Sequence, residues 1–534
     1  MGLFEGGAVD RRRAAGGVHP AALPLAARLP LCQCGEMGHD TSSVTWERSE
    51  RTSYRLKMRE NLETFARYLP RAEFEDAGTI GVEMELNLVD DAGLPVRAAQ
   101  QVLAAIGADG SEDFQTEIGA HNVEFNVPVF SVKGHGLADV EESICARLDR
   151  AQAAVSADPA ARGVHLLPIG MLPTLSEADL RRSDWRIPEN RYHALDTAVL
   201  EARGEDVHIH VQGVEDIDLM FPSISPESAC TSVQLHLQVP PSRFAPAWNA
   251  AQAIAGPQVA LAANSPFFAG HSAWAENRIP VFTQAVDTRP PEYASQGVRP
   301  RVWFGERWIN SMFDLLEENV RYFPAILPES REEAGEPLMT KGAAPMLHEL
   351  VLHNGTVWRW NRPIYDPGTG GRPHLRIENR LLPAGPTVGD QIADAAFFYG
   401  LVTRLSRSVR PLWSRMPFAD AEANFFACAQ DGLDAEVVWP GYGRMPVTEL
   451  ISTELVPLAT QGLVMLDVDA GLVERYMGVI DARARAGQNG ASWQRAVVRS
   501  LEGHGLDRAA ALAEMTRRYR GLQESGRPVH TWGV

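Results

Sequence analysis

Cysteine is scarce in this chain, with five in 534 residues: Cys32, Cys34, Cys145, Cys230 and Cys428. So few, so scattered, they build no disulfide framework, and reduced thiols of a cytoplasmic protein fit better. Only Cys32 and Cys34 are neighbours, and no second pair completes a zinc site. No apolar run is long enough to span a bilayer. There is no GxxxxGK[ST] phosphate loop, no helical HExxH arrangement, no internal repeat and no Ser–His–Asp or Cys–His nucleophile signature. Positive charge is also short, 50 Lys and Arg against 68 Asp and Glu, a net charge of −18. That excess disfavours nucleic acid and anionic membrane as partners, although a bound Mg²⁺ can still bring an anionic substrate to an acidic site.

What remains is a globular composition, 45% hydrophobic and 22% charged, with length enough for one large domain or several smaller ones. Residues 1–36 are rich in Ala, Gly, Pro and Arg without periodicity. They read better as a disordered extension, with Met37 as an alternative initiator, than as a secretory leader, because Arg28 interrupts the weakly apolar stretch. An apolar stripe (Tyr54, Met58, Leu62, Phe65, Leu69) predicts a helix over 51–69, ended by Pro70. Strands are expected at 81–90, 121–129, 164–170, 230–239, 348–353 and 374–381, and helices at 137–155, 242–263 and 388–406. The Pro-, Gly- and Arg-rich stretch 287–301 reads as a long active-site loop, and 327–345 as exposed. The resulting division is an extension over 1–45, a catalytic domain over 46–445 and a helical region over 446–534 packed on the same domain. Strands and helices interleave without strict βαβ alternation, so the fold class is α+β with an antiparallel sheet.

The acids are the informative residues. In GVEMELNLVD (81–90), alternation puts Val82, Met84 and Leu86 on one face and Glu83, Glu85 and Asn87 on the other. Two carboxylates on one strand face lie roughly 6–7 Å apart. They repel unless a cation sits between them, and a hard divalent ion takes such oxygen ligands together with phosphate oxygens. The competing reading is a solvated strand face. Further acids arrive singly: Glu117 in a turn-like segment and Glu124 on a strand in QTEIGAHNVEFNVPVF (115–130), and Glu378 sharing a face with Arg376 and Arg380 in HLRIENRLLPAGP (374–386). Gln234 and His236 share a face in CTSVQLHLQV (230–239) and suit a metal or a phosphate oxygen. His208 and His210 in VHIHV form a similar pair. Its flanking residues are acidic and no other ligand lies near in sequence, so it reads as a solvated strand. ANSPFFAG (263–270) ends an apolar helix in an Asn-Ser-Pro turn that can present backbone N–H groups to an anion. Arg278, Arg289, Arg359 and Arg362 stand in or near the loops that follow and suit carboxylate or phosphate.

In collinear order these segments resemble the glutamate–cysteine ligase family, including its bacterial carboxylate–amine ligase relatives. GVEMELNLVD is similar to the family's first glutamate strand, TEIGAHNVEFNVPV to its next acidic strand, and CTSVQLHLQV to the strand carrying His or Gln. ANSPFFAG, HNGTVWRWNRPIYD (353–366) and HLRIENRLLPAGPTVGDQIADAAFFYGL resemble its Asn-Ser-Pro-Phe turn, its Trp-containing stretch and its Glu-x-Arg strand with the following helix. The resemblance runs over about 50–430. It implies a glutamine synthetase-like fold, a curved, largely antiparallel sheet forming a half-open funnel with outer helices. It implies Mg²⁺ ligands at Glu83, Glu85, Glu124, His236 and Glu378, with Glu117 a weaker one. It implies nucleotide contacts at Gln234, Asn264 and Ser265, and anion contacts in catalysis at Arg278, Arg362 and Arg380. The implied activity uses ATP to convert a carboxylate to an acyl phosphate that an amine then attacks. The default substrates are L-glutamate and L-cysteine, as in glutathione biosynthesis, so the expected partners are small molecules, amino acids and ATP. Two departures, Pro383 where the family often has Asp and Glu276-Asn277-Arg278 where it often has Ser-x-Arg, leave substrate identity open. Another acid or amine, a noncatalytic nucleotide- or amino-acid-binding paralogue, and a guanidino kinase on the same superfold stay as alternatives.

Overall fold

A computed structural model describes residues 40–75, 78–108, 113–331, 344–368 and 372–534. The helix Arg48–Tyr68 buries Tyr54, Met58 and Phe65 and gives way at Leu69, one residue before Pro70. Seven strands make the main sheet: β1 (Thr79–Val89), β2 (Phe114–Thr116), β3 (Asn122–Ser131), β4 (His165–Leu167), β5 (Ser232–Gln238), β6 (Asn361–Asp366) and β7 (His374–Pro383). Their order is β6-β7-β5-β1-β3-β2, with β4 also pairing β1, and every pairing is antiparallel. The architecture is α+β.

Alternation divides the sheet chemically. Val82, Met84 and Leu86 of β1, Val233, Leu235 and Leu237 of β5, and Leu375 and Ile377 of β7 join one apolar core with the helix Val388–Ser406. Each such side chain contributes about 1.5–3 kcal/mol by leaving water. A one-residue register slip would send them to the opposite face, so this core fixes which residues the other face carries. The helix Val388–Ser406 starts where Thr387 Oγ1 accepts from the Asp390 N–H, and nearly all its residues are buried. Residues from the C-terminal helices, among them Tyr476, Ile480, Trp493 and Tyr519, belong to the same core. No described helix is long and apolar enough to cross a membrane.

Three expectations change. Residues 348–353 form the helix His348–Gly355 rather than a strand. HELVLHN is buried on nearly every side, and a short run buried all round carries no period that separates helix from strand. The expected helix 242–263 is two helices, Pro241–Ala253 and Ala255–Ala262, meeting at Ile254. The stretch 287–301 contains a short helix, Pro291–Ser295, and contributes nothing to the cavity described below. Residues 1–39 and 332–343, about which the sequence makes statements, lie outside the described residues. Residues 40–45, placed by the sequence in the extension, include Asp40, whose Oδ1 accepts from the Arg191 N–H at 2.7 Å, and Thr41, whose carbonyl accepts from Asn190 at 3.1 Å.

Candidate active site

The polar face of the sheet opens into a cavity of about 890 Å³. Strand register assembles its wall. Glu85 of β1 stands opposite Glu124 of β3, Glu83 opposite Gln234 of β5, and Glu378 of β7 opposite both His236 of β5 and Arg362 of β6. Residues separated by up to 295 positions thus become neighbours, and Glu83, Glu85, Glu117, Glu124, Gln234, His236, Arg278, Arg362, Glu378 and Arg380 all line the cavity.

The acids fall into two trios, each offering three ligand atoms within 4.8 Å of one another: Glu83, His236 and Glu378, and Glu85, Glu117 and Glu124. The first trio is balanced. His236 Nε2 lies 2.9 Å from Glu83 Oε1. Arg362 grips Glu378 with both Nε and Nη2, the latter at 2.8 Å, and Arg380 Nη1 donates to the same carboxylate at 3.0 Å. Burial alone would raise the Glu83 and Glu378 carboxyls, but His236 outweighs it at Glu83, and Arg362, Arg380 and His236 outweigh it at Glu378, so both are held low. Burial would lower His236, and Glu83 reverses that to a net rise.

The second trio is not balanced. Glu85 accepts from the Ser232 N–H and hydroxyl at 2.6 and 3.0 Å and from Gln234 at 3.0 Å, and Glu124 accepts from Gln115. These are dipoles, not charges. Burial raises Glu85, only partly countered by Arg380 and Arg278. Burial and Glu85 push Glu117 up to about 7. Burial, then Glu83, Glu117 and Glu85, lift Glu124 well above the usual carboxylate range. Like charges directly opposite across a strand pair destabilise it, and Glu85 and Glu124 are such a pair. An all-oxygen donor set that repels itself fits a hard divalent cation such as Mg²⁺. In the first trio an ion would have to share Glu378 with two guanidinium groups.

The remaining candidates divide. Gln234 donates to Glu85, and its Oε1 accepts from Arg380, which links the two trios. Arg278 lines the cavity, with Nη1 at 3.2 Å from Glu276 and its other bonds to the Leu381 and Arg380 carbonyls. Asn264 and Ser265 lie outside the cavity. The Asn264 N–H donates to Glu276 at 3.0 Å and its side chain to Ala384 O and Tyr519, while the Ser265 hydroxyl donates to Glu276 at 2.5 Å. Glu276, one of the sequence departures, is therefore the buried clamp of that turn. Arg289 pairs with Asp287, and Arg359 with Glu318 and Asn319, both away from the cavity.

Some cavity residues carry no cue in the sequence. Arg191 lies 4.4 Å over the Tyr192 ring, and its Nη2 donates to Thr116. Glu227, in the turn Ser225–Ala229, has a buried Oε2 without a hydrogen-bond partner, and burial, Glu117 and Glu85 push its carboxyl well up. Neither residue sits in a strand whose alternation marks it.

The model of glutamate-cysteine ligase family 2 matches residues 79–511, a span that takes in the whole sheet and both trios. The chain belongs to that family. It is a ligase. No curated protein matches it. Among solved structures, the glutamate–cysteine ligase from Francisella tularensis in complex with AMP is similar at TM-score 0.49 and 10% identity, over 86% of this chain and 96% of that one. A bifunctional glutathione synthetase from Pasteurella multocida is similar at TM-score 0.43 and 11% identity, over 89% of this ligase and 55% of that chain.

Proposed function

We propose that this ligase uses ATP and Mg²⁺ to activate a carboxylate as an acyl phosphate and joins it to an amine, with the γ-carboxylate of L-glutamate and the amine of L-cysteine as the default pair. The sheet's polar face then works as the floor of a half-open funnel. The observation that carries this reading is the Glu85–Glu117–Glu124 trio: three convergent carboxylates, two directly opposed in the sheet, whose burial Arg380, Arg278 and Arg191 only partly offset.

Glu85, Glu124 and Glu117 would hold a divalent ion, and Glu83, His236 and Glu378 a second. A bound Mg²⁺ neutralises phosphate charge and so lowers the cost of phosphoryl transfer between anions. The chain's own residues position the reactants. Arg380, fixed between Gln234 and Glu378, offers its guanidinium to a transferring phosphate. Arg362 and Arg278 supply further positive charge at the wall. A carboxylate oxygen of the first substrate attacks the γ-phosphorus and ADP leaves. The amine nitrogen then attacks the acyl carbon, phosphate leaves, and the nitrogen gives up a proton. No covalent bond to the protein forms, consistent with the missing nucleophile signature.

The test is an ADP-release screen of amino-acid pairs with the product mass measured. Glutamate with cysteine should release ADP and give γ-glutamylcysteine. ADP release with another pair alone would move the assignment to a different carboxylate–amine ligase. ATP binding with no ADP release from any pair would favour the noncatalytic reading.

A further inference from the structure

The hairpin Val207–Val211 with Ile217–Phe221 stands outside the main sheet. Its inner face is apolar: Val207, Ile209, Val211, Ile217 and Phe221 are all buried. Its outer face is a row of donors. Register sets His208 opposite Met220 and His210 opposite Asp218, so these four side chains leave the hairpin on one side. His208 Nε2 lies 2.6 Å from Asp218 Oδ1, the two imidazole centroids are 5.8 Å apart, and ligand atoms of His208, His210 and Asp218 all lie within 4.8 Å of one another. The hairpin backbone is anchored, since the His210 N–H donates to Gln284 and the Gln212 carbonyl accepts from Trp274, both at 2.8 Å. None of the four side chains lines the catalytic cavity.

We propose that this outer face is a second, separate metal site, in which His208, His210 and Asp218 bind a late first-row divalent ion such as Zn²⁺. Two imidazoles and one carboxylate suit Zn²⁺, Cu²⁺ or Ni²⁺ and do not suit Mg²⁺, which prefers an all-oxygen shell. Bond lengths of about 2.0–2.1 Å place neighbouring tetrahedral ligands roughly 3.3 Å apart. Exposed side chains reach that spacing by small χ rotations, while the anchored backbone holds the i, i+2 pair and its cross-strand carboxylate in register. Water would complete the fourth position, on the face that Met220, opposite His208, shares. A plain His208–Asp218 hydrogen bond uses two of these groups, while the register that sets His210 opposite Asp218 keeps a third ligand atom within reach of the same ion. The ion would tie the two strands of the hairpin together and would not touch the substrates.

The test is calorimetric titration of the full chain with Zn²⁺ in excess Mg²⁺, which occupies the hard sites of the cavity. The wild type should bind one more Zn²⁺ than the His208→Ala/His210→Ala variant, and Asp218→Asn should weaken that ion at least about tenfold. Zn²⁺ should raise the melting temperature of the wild type more than that of either variant. Melting temperatures without Zn²⁺ should agree, because all three side chains are at least partly exposed. Equal Zn²⁺ stoichiometry and affinity in the wild type and the double variant would overturn the proposal.

Discussion

Two buried charge clusters in this ligase are built on opposite principles. Beneath the sheet, Arg483 lies between Asp390 and Asp394 at 2.9 and 2.7 Å, and Asp390 also accepts from Thr387 and from the Val529 N–H. Nothing in that cluster points into open space, and it ties the C-terminal helices to the helix behind the sheet. In the cavity, Glu85, Glu117 and Glu124 face one another, and Arg380, Arg278 and Arg191 only partly offset the burial that raises Glu85 and Glu117. The fold cluster sets a guanidinium in direct contact with both of its carboxylates, whereas the hydrogen bonds to Glu85 and Glu124 come from neutral dipoles, an arrangement suited to a site that a ligand completes.

The largest expected effect breaks the second cluster. Glu124→Gln should lower kcat by roughly 10²–10³-fold, measured by ADP release, yet it should not lower the melting temperature of the metal-free protein, because it removes a repulsion. Arg483→Met should do the reverse. It strands Asp390 and Asp394 in the core at a cost of about 3–5 kcal/mol, read by urea denaturation, while the folded fraction keeps near-normal kcat. The pH dependence of folding sharpens the contrast further. Burial lowers His121 and His353 to about 4, against about 6.5 unfolded. Between those values the unfolded chain takes up protons that the folded chain refuses. Their stabilisation is therefore full above about pH 6.5 and is lost as pH falls toward 4, by about 3 kcal/mol per imidazole at most. Burial places Asp394 at about 6, so its contribution runs the other way and is lost as pH rises from its unfolded value of about 3.9 through 6. The raised carboxyls of Glu117, Glu124 and Glu227 run the same way as Asp394, so the readout is a difference between proteins: urea denaturation at pH 7.5 and 5 should show His353→Gln gaining stability relative to the wild type as the pH falls. The smallest effect is expected at the cavity rim. A chain starting at Met37 should match the full chain, whereas one starting at Arg48 loses Asp40 and Thr41 from the cavity wall and should show a modest rise in substrate KM.

Alternation made the face of Glu83 and Glu85 legible in the sequence, as it did for Gln234 with His236 and for Glu378 with Arg380. Strand order and register were not legible, and they decide that Glu85 meets Glu124 while Glu378 meets His236. For the same reason Asp218 could not be seen beside His208 and His210, since the partner lies across a hairpin. Arg191 and Glu227 were missed because a helix start and a short turn carry no period. Asn264 and Ser265 show the limit of motif reading: the turn is where the sequence puts it, but its donors are spent on Glu276. The helix at 348–355 was misread because burial on all sides erases the pattern that separates the two periods.

The most direct test of the cavity account is a Mg²⁺ titration of the melting temperature at fixed ATP, for the wild type and Glu124→Gln side by side. Binding to the folded state alone raises the melting temperature in step with ligand concentration. The account expects the wild type to rise with Mg²⁺ and Glu124→Gln to rise only at much higher Mg²⁺. Coincident curves for the two proteins would contradict it, because Glu124 would then hold no ion.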